Sequence, residues 1–402
     1  MKLGEEFKTV GFFYVMTGIY WVSIGFMAGY WTLYLSTIGL SFSAIAILLA
    51  MYPIVSILFE IPTGAIADIF GRKVSVFLSY LLTGIAFTGV LLSGTNFPLL
   101  LLFYILAGIS FTLETGALEA WFVDTVKHKK QTKHLNRLFG RWGSISAVGF
   151  AIGPLLGGIL VTFGVEKAFW ATALTMIALA VIVLIFGTEE YFKPRKTRII
   201  DGFKQTFKTG KDGFKQIFTH PVLLIMTLTL TIFTFANMGI AFNAYQVYVV
   251  EIGLNPFFIG LALSLAGFIS IFALNFSHKI KDFVGGNRNT LLLFSFLGGL
   301  VLLGVGVIRI LPLLFLCMVL RAVFFEFASG PSPAYRELFN KYVPSRIRAT
   351  TLSVNSFNTQ IGDLLGIVVF GIFSVMFGLQ KIIIFAAILM MVSSFLYLKI
   401  KK

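Results

Sequence analysis

Charge is scarce in this chain: Asp, Glu, Lys and Arg make up 12% of 402 residues, against 57% hydrophobic ones. So little polar surface excludes a water-soluble globule of this length, and a mean hydropathy of +0.92 places the chain in a bilayer. Cysteine is nearly missing as well. The single Cys317 lies in an apolar run, which rules out a disulfide framework or a thiolate metal site within one chain. The four histidines, His128, His134, His220 and His278, fall at or beyond the ends of apolar runs and read as interfacial rather than ligating. No Gly-x-x-x-x-Gly-Lys-Ser/Thr phosphate loop occurs, so no built-in ATPase is expected, and no enzyme activity, metal or cofactor. Energy for work across a membrane must then come from a gradient of ions or solutes.

What the chain does have is apolar runs of helix-spanning length, at roughly 20 residues for a 30 Å hydrocarbon core, rather than short alternating segments. The fold class expected is an all-α membrane protein with twelve transmembrane helices in two pseudo-symmetric six-helix bundles. The spans fall near 10–36, 42–66, 74–94, 97–124, 137–164 and 167–187, then 220–250, 256–277, 290–310, 311–335, 347–375 and 379–399. The first run is too long for a signal-peptide core and is expected to be retained. The organisation is a first bundle over 1–187, a linker over 188–219 and a second bundle over 220–402.

The net charge of +15 needs no nucleic acid. With the N-terminus inside, all 32 Lys and Arg residues except Lys167, Arg309, Lys381 and Arg321 fall in cytoplasmic tails and loops. Such asymmetry sets both termini in the cytoplasm and the protein in the cytoplasmic membrane. In the linker, Asp-Gly-Phe-Lys-Gln-x-Phe occurs at Asp201 and again at Asp212, putting Phe203, Phe207, Phe214 and Phe218 on one helical stripe. A helix on the anionic inner leaflet is expected, with regulatory or partner docking as the alternative.

The halves repeat. Ile38-Gly39-Leu40 returns as Ile252-Gly253-Leu254, Asp68 and Gly71 as Asp282 and Gly285, and Gly116 as Gly330, all 214 residues on. Ile152-Gly-Pro-Leu-Leu-Gly returns as Ile361-Gly-Asp-Leu-Leu-Gly after 209. Six-plus-six repeats are what alternating-access carriers use.

Between the second and third spans stands Gly64-Ala-Ile-Ala-Asp68-Ile-Phe-Gly71-Arg72-Lys73. With the spans and the repeat, this turn resembles the signature of the major facilitator superfamily over essentially the whole chain, departing only in Ile69, where a basic residue is frequent. The resemblance implies that spans 1, 4, 7 and 10 surround a central cavity and that Arg72 pairs with Asp124 at the end of span 4. It also implies that Asp68 approaches the start of span 11 near Ser345 to Ala349. A carboxylate there is independently favoured by free N–H groups and the helix dipole. Such a latch would hold the outward-open state, and Gly286 and Asn287, replacing Arg72 and Lys73 in the repeat, confine the full switch to the first half. In span 5, Gly149, Gly153, Pro154, Gly157 and Gly158 resemble the motif of the superfamily's proton-coupled drug exporters, while spacing-four glycines also serve close helix packing. The stretch Leu102 to Gly108 holds no arginine, where many of those exporters carry one.

Six ionisable residues fall within spans: Glu60, Glu114, Glu119, Arg321, Glu326 and Asp363. Each costs about 2.5–3.5 kcal/mol at mid-membrane, so they are functional candidates. Five carboxylates against one arginine cannot all be paired, and burial that raises a carboxyl pKa is how a proton carrier is made. Counting about 1.5 Å per residue from the helix ends puts Glu114, Arg321 and Asp363 near the midplane. Glu114 and Glu119 lie about 140° apart on the helix, so Glu114 is the substrate-facing or proton-carrying candidate, with Arg321 as countercharge to it or to Asp363. Tyr20 and Trp31 in span 1, with Asn237, Asn243 and Gln246 in span 7, are cavity candidates. The expected activity is export of small amphipathic compounds, cations among them, in exchange for protons by a carrier that works as a monomer. The alternatives are an uptake carrier for a metabolite, a lipid-handling relative, and a transport-inactive sensor.

Overall fold

The computed structural model describes residues 3–189, 191–192, 213–344 and 347–400. Every regular element among the described residues is helical, and twelve helical stretches have the length and apolarity to cross a membrane. The first half runs α1 (Leu3–Met27), α2 (Trp31–Thr37), α3 (Phe42–Phe70), α4 (Arg72–Leu92), α5 (Phe97–Glu114), α6 (Ala117–His128), α7 (Leu135–Val161) and α8 (Val165–Phe186). The second runs α9 (213–219), α10 (Pro221–Thr234), α11 (Asn243–Glu251), α12 (Phe257–Asn275), α13 (Ser277–Val284) and α14 (Asn287–Val307), then α15 (Leu311–Ala328), α16 (Pro333–Tyr342), α17 (Arg348–Phe377) and α18 (Leu379–Ser394). The fourth span is α5 plus α6, the tenth is α15 plus α16, and the seventh joins α10 to α11 through a π-helical stretch, Phe235–Phe242.

Local chemistry explains several of these boundaries. Asn96 caps α5 by accepting from the Leu99 amide at 3.3 Å, with Pro98 in the first turn where its missing N–H costs nothing. Ser332 caps α16 in the same way, accepting from the Tyr335 amide at 3.3 Å ahead of Pro333. Gly71, at φ +101°, makes the tight corner between α3 and α4 that an L side chain would resist.

The chain forms two compact units. Among the described residues, the first comprises those up to 28 and from 54 to 192, and the second those from 29 to 53 and from 213 on. In the first unit α1 packs on α7 and α8, and α4 lies between α5 and α8. Its core is aromatic: Phe13 meets Trp121 edge-on at 5.1 Å and Phe122 at 5.5 Å, with all three rings buried. In the second unit α14 lies between α15 and α18, while α17 packs along α10 and the π segment. Here Phe294 stacks on Phe327 at 4.5 Å. The outward faces stay apolar; Leu102, Leu174, Phe186, Phe272 and Val375 are each more than half exposed. In water so much exposed hydrocarbon would drive aggregation, whereas lipid solvates it.

Of the linker helix, Phe203 and Phe207 lie outside the described residues. Phe214 stacks on Phe218 at 6.3 Å and meets Phe357 of α17 edge-on at 6.1 Å, so part of the stripe faces protein.

Candidate functional site

In the first unit the site is built around a helix interruption. Thr115 is extended and Gly116 turns to φ +76°, so α5 ends at Glu114 and α6 restarts at Ala117. The break leaves the carbonyls of Thr112 and Leu113 without helical partners, which inside a membrane must be satisfied by other groups. The buried hydroxyls of Thr63 and Ser75 supply them, donating to Thr112 O at 3.1 Å and Leu113 O at 2.7 Å. Glu114 therefore sits at a stabilised discontinuity. Its carboxylate acts electrostatically on Tyr80, whose ring packs against Tyr20 at 5.5 Å, and the Tyr80 hydroxyl is buried with no hydrogen-bond partner among the described residues. No Lys, Arg or His among the described residues forms an ion pair with Glu114.

In the second unit the π-helical stretch is the counterpart. Insertions of a wider turn into an α-helix are frequent at functional sites. Arg321 of α15, only 4% exposed, donates to Asn237 Oδ1 at 2.5 Å, and its guanidinium lies over the Tyr245 ring at 4.6 Å and the Phe242 ring at 5.9 Å. Glu326 and Asp363 are partly buried in the same unit, and neither forms an ion pair with Arg321. Asn243 and Gln246 are used differently. Asn243 donates to the Gly239 and Met238 carbonyls and accepts from Thr32 Oγ1 at 3.2 Å; Gln246 accepts from the Thr32 amide at 3.0 Å. They hold α2 against the seventh span, and Tyr30 adds a bond to Pro256 O at 3.1 Å.

At the Gly64–Lys73 turn, Arg72 forms an ion pair with Asp124 and donates to Ala120 O at 3.4 Å, while Lys127 stands 3.6 Å from the same acid. A further carboxylate completes the corner. Glu189 accepts from the amides of Arg72 at 3.1 Å and Lys73 at 2.9 Å, so it caps α4, where the helix dipole favours an anion. Neighbouring residues bolt it down: Trp121 Nε1 donates to Thr188 O at 3.1 Å, and Tyr191 donates to Trp121 O at 3.1 Å. Burial raises the Tyr191 phenol above its ordinary range, which keeps that donor protonated. Ser345 and Arg346, in the segment expected near Asp68, lie outside the described residues. The second half carries a related pair, Lys281 with Glu337 at 3.4 Å, joining α13 to α16.

A sequence profile described as Major Facilitator Superfamily matches residues 10–367. The chain belongs to the major facilitator superfamily. It is 22% identical to the MFS-type transporter YxaM of Bacillus subtilis (strain 168), over 97% of this chain and 95% of that protein. It is also 22% identical to the quinolone resistance protein NorA of Staphylococcus aureus (strain MSSA476), over 69% of this chain and 68% of that one. The fold matches the crystal structure of the nucleoside transporter NupG with a TM-score of 0.75 at 13% identity, covering 96% and 97% of the two chains.

As a member of this superfamily the chain is a transporter, not an enzyme, and its glycine rows acquire a defined place in the transporter's packing. A Cβ on Gly149, Gly153 or Gly157 would come within 3.0, 2.5 or 2.1 Å of the carbonyl oxygens of Gly18, Val22 or Phe26, so α7 and α1 touch backbone to backbone. Pro154 lies against Gly25 in the same contact, and Gly158 is buried beside it. Gly362 and Gly366 repeat the arrangement on Thr231 and Phe235, with Gly239 facing Gly366. Other candidates lie elsewhere: Glu60 and Glu119 are exposed, Glu119 in the first turn of α6, and Trp31 is half-buried.

Sequence reasoning missed Glu189, Lys281–Glu337 and one more cluster. Glu6, 1% exposed, pairs with Arg137 at 3.8 Å and with Arg141, and accepts from Tyr14 at 3.0 Å. The readable signal was that Glu5 to Val10 runs into the first span with neither Gly nor Pro, which lets α1 begin ahead of residue 10, at Leu3.

Proposed function

We propose that this protein exports small amphipathic compounds from the cytoplasm in exchange for protons, as a monomer in the cytoplasmic membrane with both termini inside. The observation that carries this reading is Glu114, a carboxylate inside a membrane-spanning helix, placed at a stabilised break near Tyr80 and without a cationic partner among the described residues. Such a group can exchange a proton for a substrate without first breaking an ion pair. Similarity to the quinolone resistance protein NorA supports efflux. The basic asymmetry of the loops supports the orientation.

In this reading Arg72–Asp124 clamps the Gly64–Lys73 corner in one state, and the chain flexes where it passes between its two units, at Gly29 (φ +86°) and at Pro53 within α3. The test is flux of a panel of amphipathic dyes and quinolones into liposomes containing purified protein and an acidic lumen. Accumulation that collapses with a protonophore is expected. Absence of gradient-dependent accumulation across the panel, or accumulation indifferent to the gradient, would reject the proposal.

A further inference from the structure

Arg321 has no role in the coupling reaction just described, yet it is a cation buried in a membrane-spanning helix. Removing a guanidinium from water is expensive unless an anion faces it. Among the described residues no carboxylate does so: Asp363 and Glu326 stand apart, and the one titratable side chain acting on the guanidinium is the Tyr245 phenol. What Arg321 meets is neutral, namely Asn237 Oδ1, the Tyr245 hydroxyl and the faces of Tyr245 and Phe242.

Asn237 sharpens the point. A guanidinium offers only donors, so it must take the amide oxygen, and the Asn237 NH2 is left as the other end. That nitrogen is buried with no hydrogen-bond partner, in a residue 1% exposed. The place thus holds a cation with no anion facing it and one unused donor, and the group that complements both is an acceptor carrying negative charge. The frame is fixed: Gly239 meets Gly366 so closely that a Cβ would lie 2.6 Å from its Cα, and the Asn243 amide ties the carbonyls of Met238 and Gly239. Two aromatic faces supply the apolar surface that an amphipathic molecule needs.

We infer that Arg321, Asn237 and the Tyr245 face form a subsite for a carboxylate group, so that the transported compounds include amphipathic carboxylates. This rests on the chain being a transporter and not on Glu114 being its proton carrier.

The experiment titrates purified full-length protein in detergent with 2-naphthoate, and with 2-naphthamide and 2-naphthylmethylammonium as neutral and cationic controls, following the thermal unfolding midpoint. Saturable stabilisation by naphthoate alone is expected. Arg321→Gln should weaken it about tenfold or more, the effect of losing a charge-assisted hydrogen bond, while Arg321→Lys retains part of it. Should Arg321→Gln fail to fold, Asn237→Ala keeps the cation and is expected to weaken the response as well. Gly143→Ala, whose added Cβ meets nothing within 4 Å, should leave it intact, and because the readout needs no proton gradient it separates this subsite from the coupling reaction. No naphthoate response, equal responses to naphthoate and naphthamide, or an undiminished response in Arg321→Gln or Asn237→Ala would overturn the inference.

Discussion

Glu189 shows what one side chain does at the Gly64–Lys73 corner. Its two oxygens take the first two amides of α4, and its own position depends on the contacts of Thr188 and Tyr191. Glu189→Ala is expected to destabilise the protein by about 1–2 kcal/mol, the usual cost of a lost cap with its dipole contribution, read as a lower unfolding midpoint in detergent. Arg72→Gln should behave in the opposite way. The Arg72–Asp124 pair is partly exposed, so its loss costs about 1 kcal/mol or less of stability, while the transport rate falls if the pair clamps one conformational state. An unchanged turnover in Arg72→Gln would remove the clamp from the account. The sequence carried the base of this corner in a recognisable motif, and the family resemblance pointed to the acid at the end of span 4, so their meeting was foreseeable. Glu189 was not, because it follows a polar connection whose path no local pattern sets. Arg321 was legible as a buried charge, but not its neutral surroundings, since those depend on the π-helical shift that brings Asn237 and Tyr245 beneath it.

Interruptions give the membrane elements their character. The fourth and tenth spans break at Thr115–Gly116 and at Ser329–Ser332, places that correspond in the internal repeat, and the seventh widens at Phe235–Phe242. Hydropathy averages over such breaks, so apolar runs predicted continuous spans. The return of Gly116 as Gly330 was the one trace of them. The glycine rows were more readable, because spacing of four in an apolar helix has a packing consequence of its own. Gly157→Ala is expected to cost about 1–3 kcal/mol by overpacking, since its Cβ would meet the Phe26 carbonyl at 2.1 Å. Gly143→Ala on the same helix meets nothing within 4 Å and should be neutral or slightly stabilising. Comparing the two unfolding midpoints separates close packing from a general need for glycine in α7; equal losses would contradict the packing explanation.

At the scale of the molecule, two units and twelve spans follow from gross features: long apolar runs, a basic bias on one side and a repeat. The division is not at the linker alone. Residues 29–53 belong with the second unit, tied there by Thr32, Tyr30 and Ser43, the last donating to Gly371 O at 3.0 Å. Contacts of that kind leave no trace in a single sequence, whose first bundle reads as continuous to residue 187. Gly29→Ala should slow turnover, because its left-handed backbone resists a side chain and a Cβ would lie 2.9 Å from Ile259 and Leu263. Initial rates of flux with matched protein content would show it.

The central claim, that Glu114 couples substrate movement to protons, is tested most directly by comparing two fluxes in Glu114→Gln liposomes. One is accumulation driven by a pH gradient, and the other is substrate exchange at equal pH on both sides. The account predicts that gradient-driven accumulation falls to background while exchange persists. Gradient-driven accumulation equal to that of the unchanged protein would contradict it.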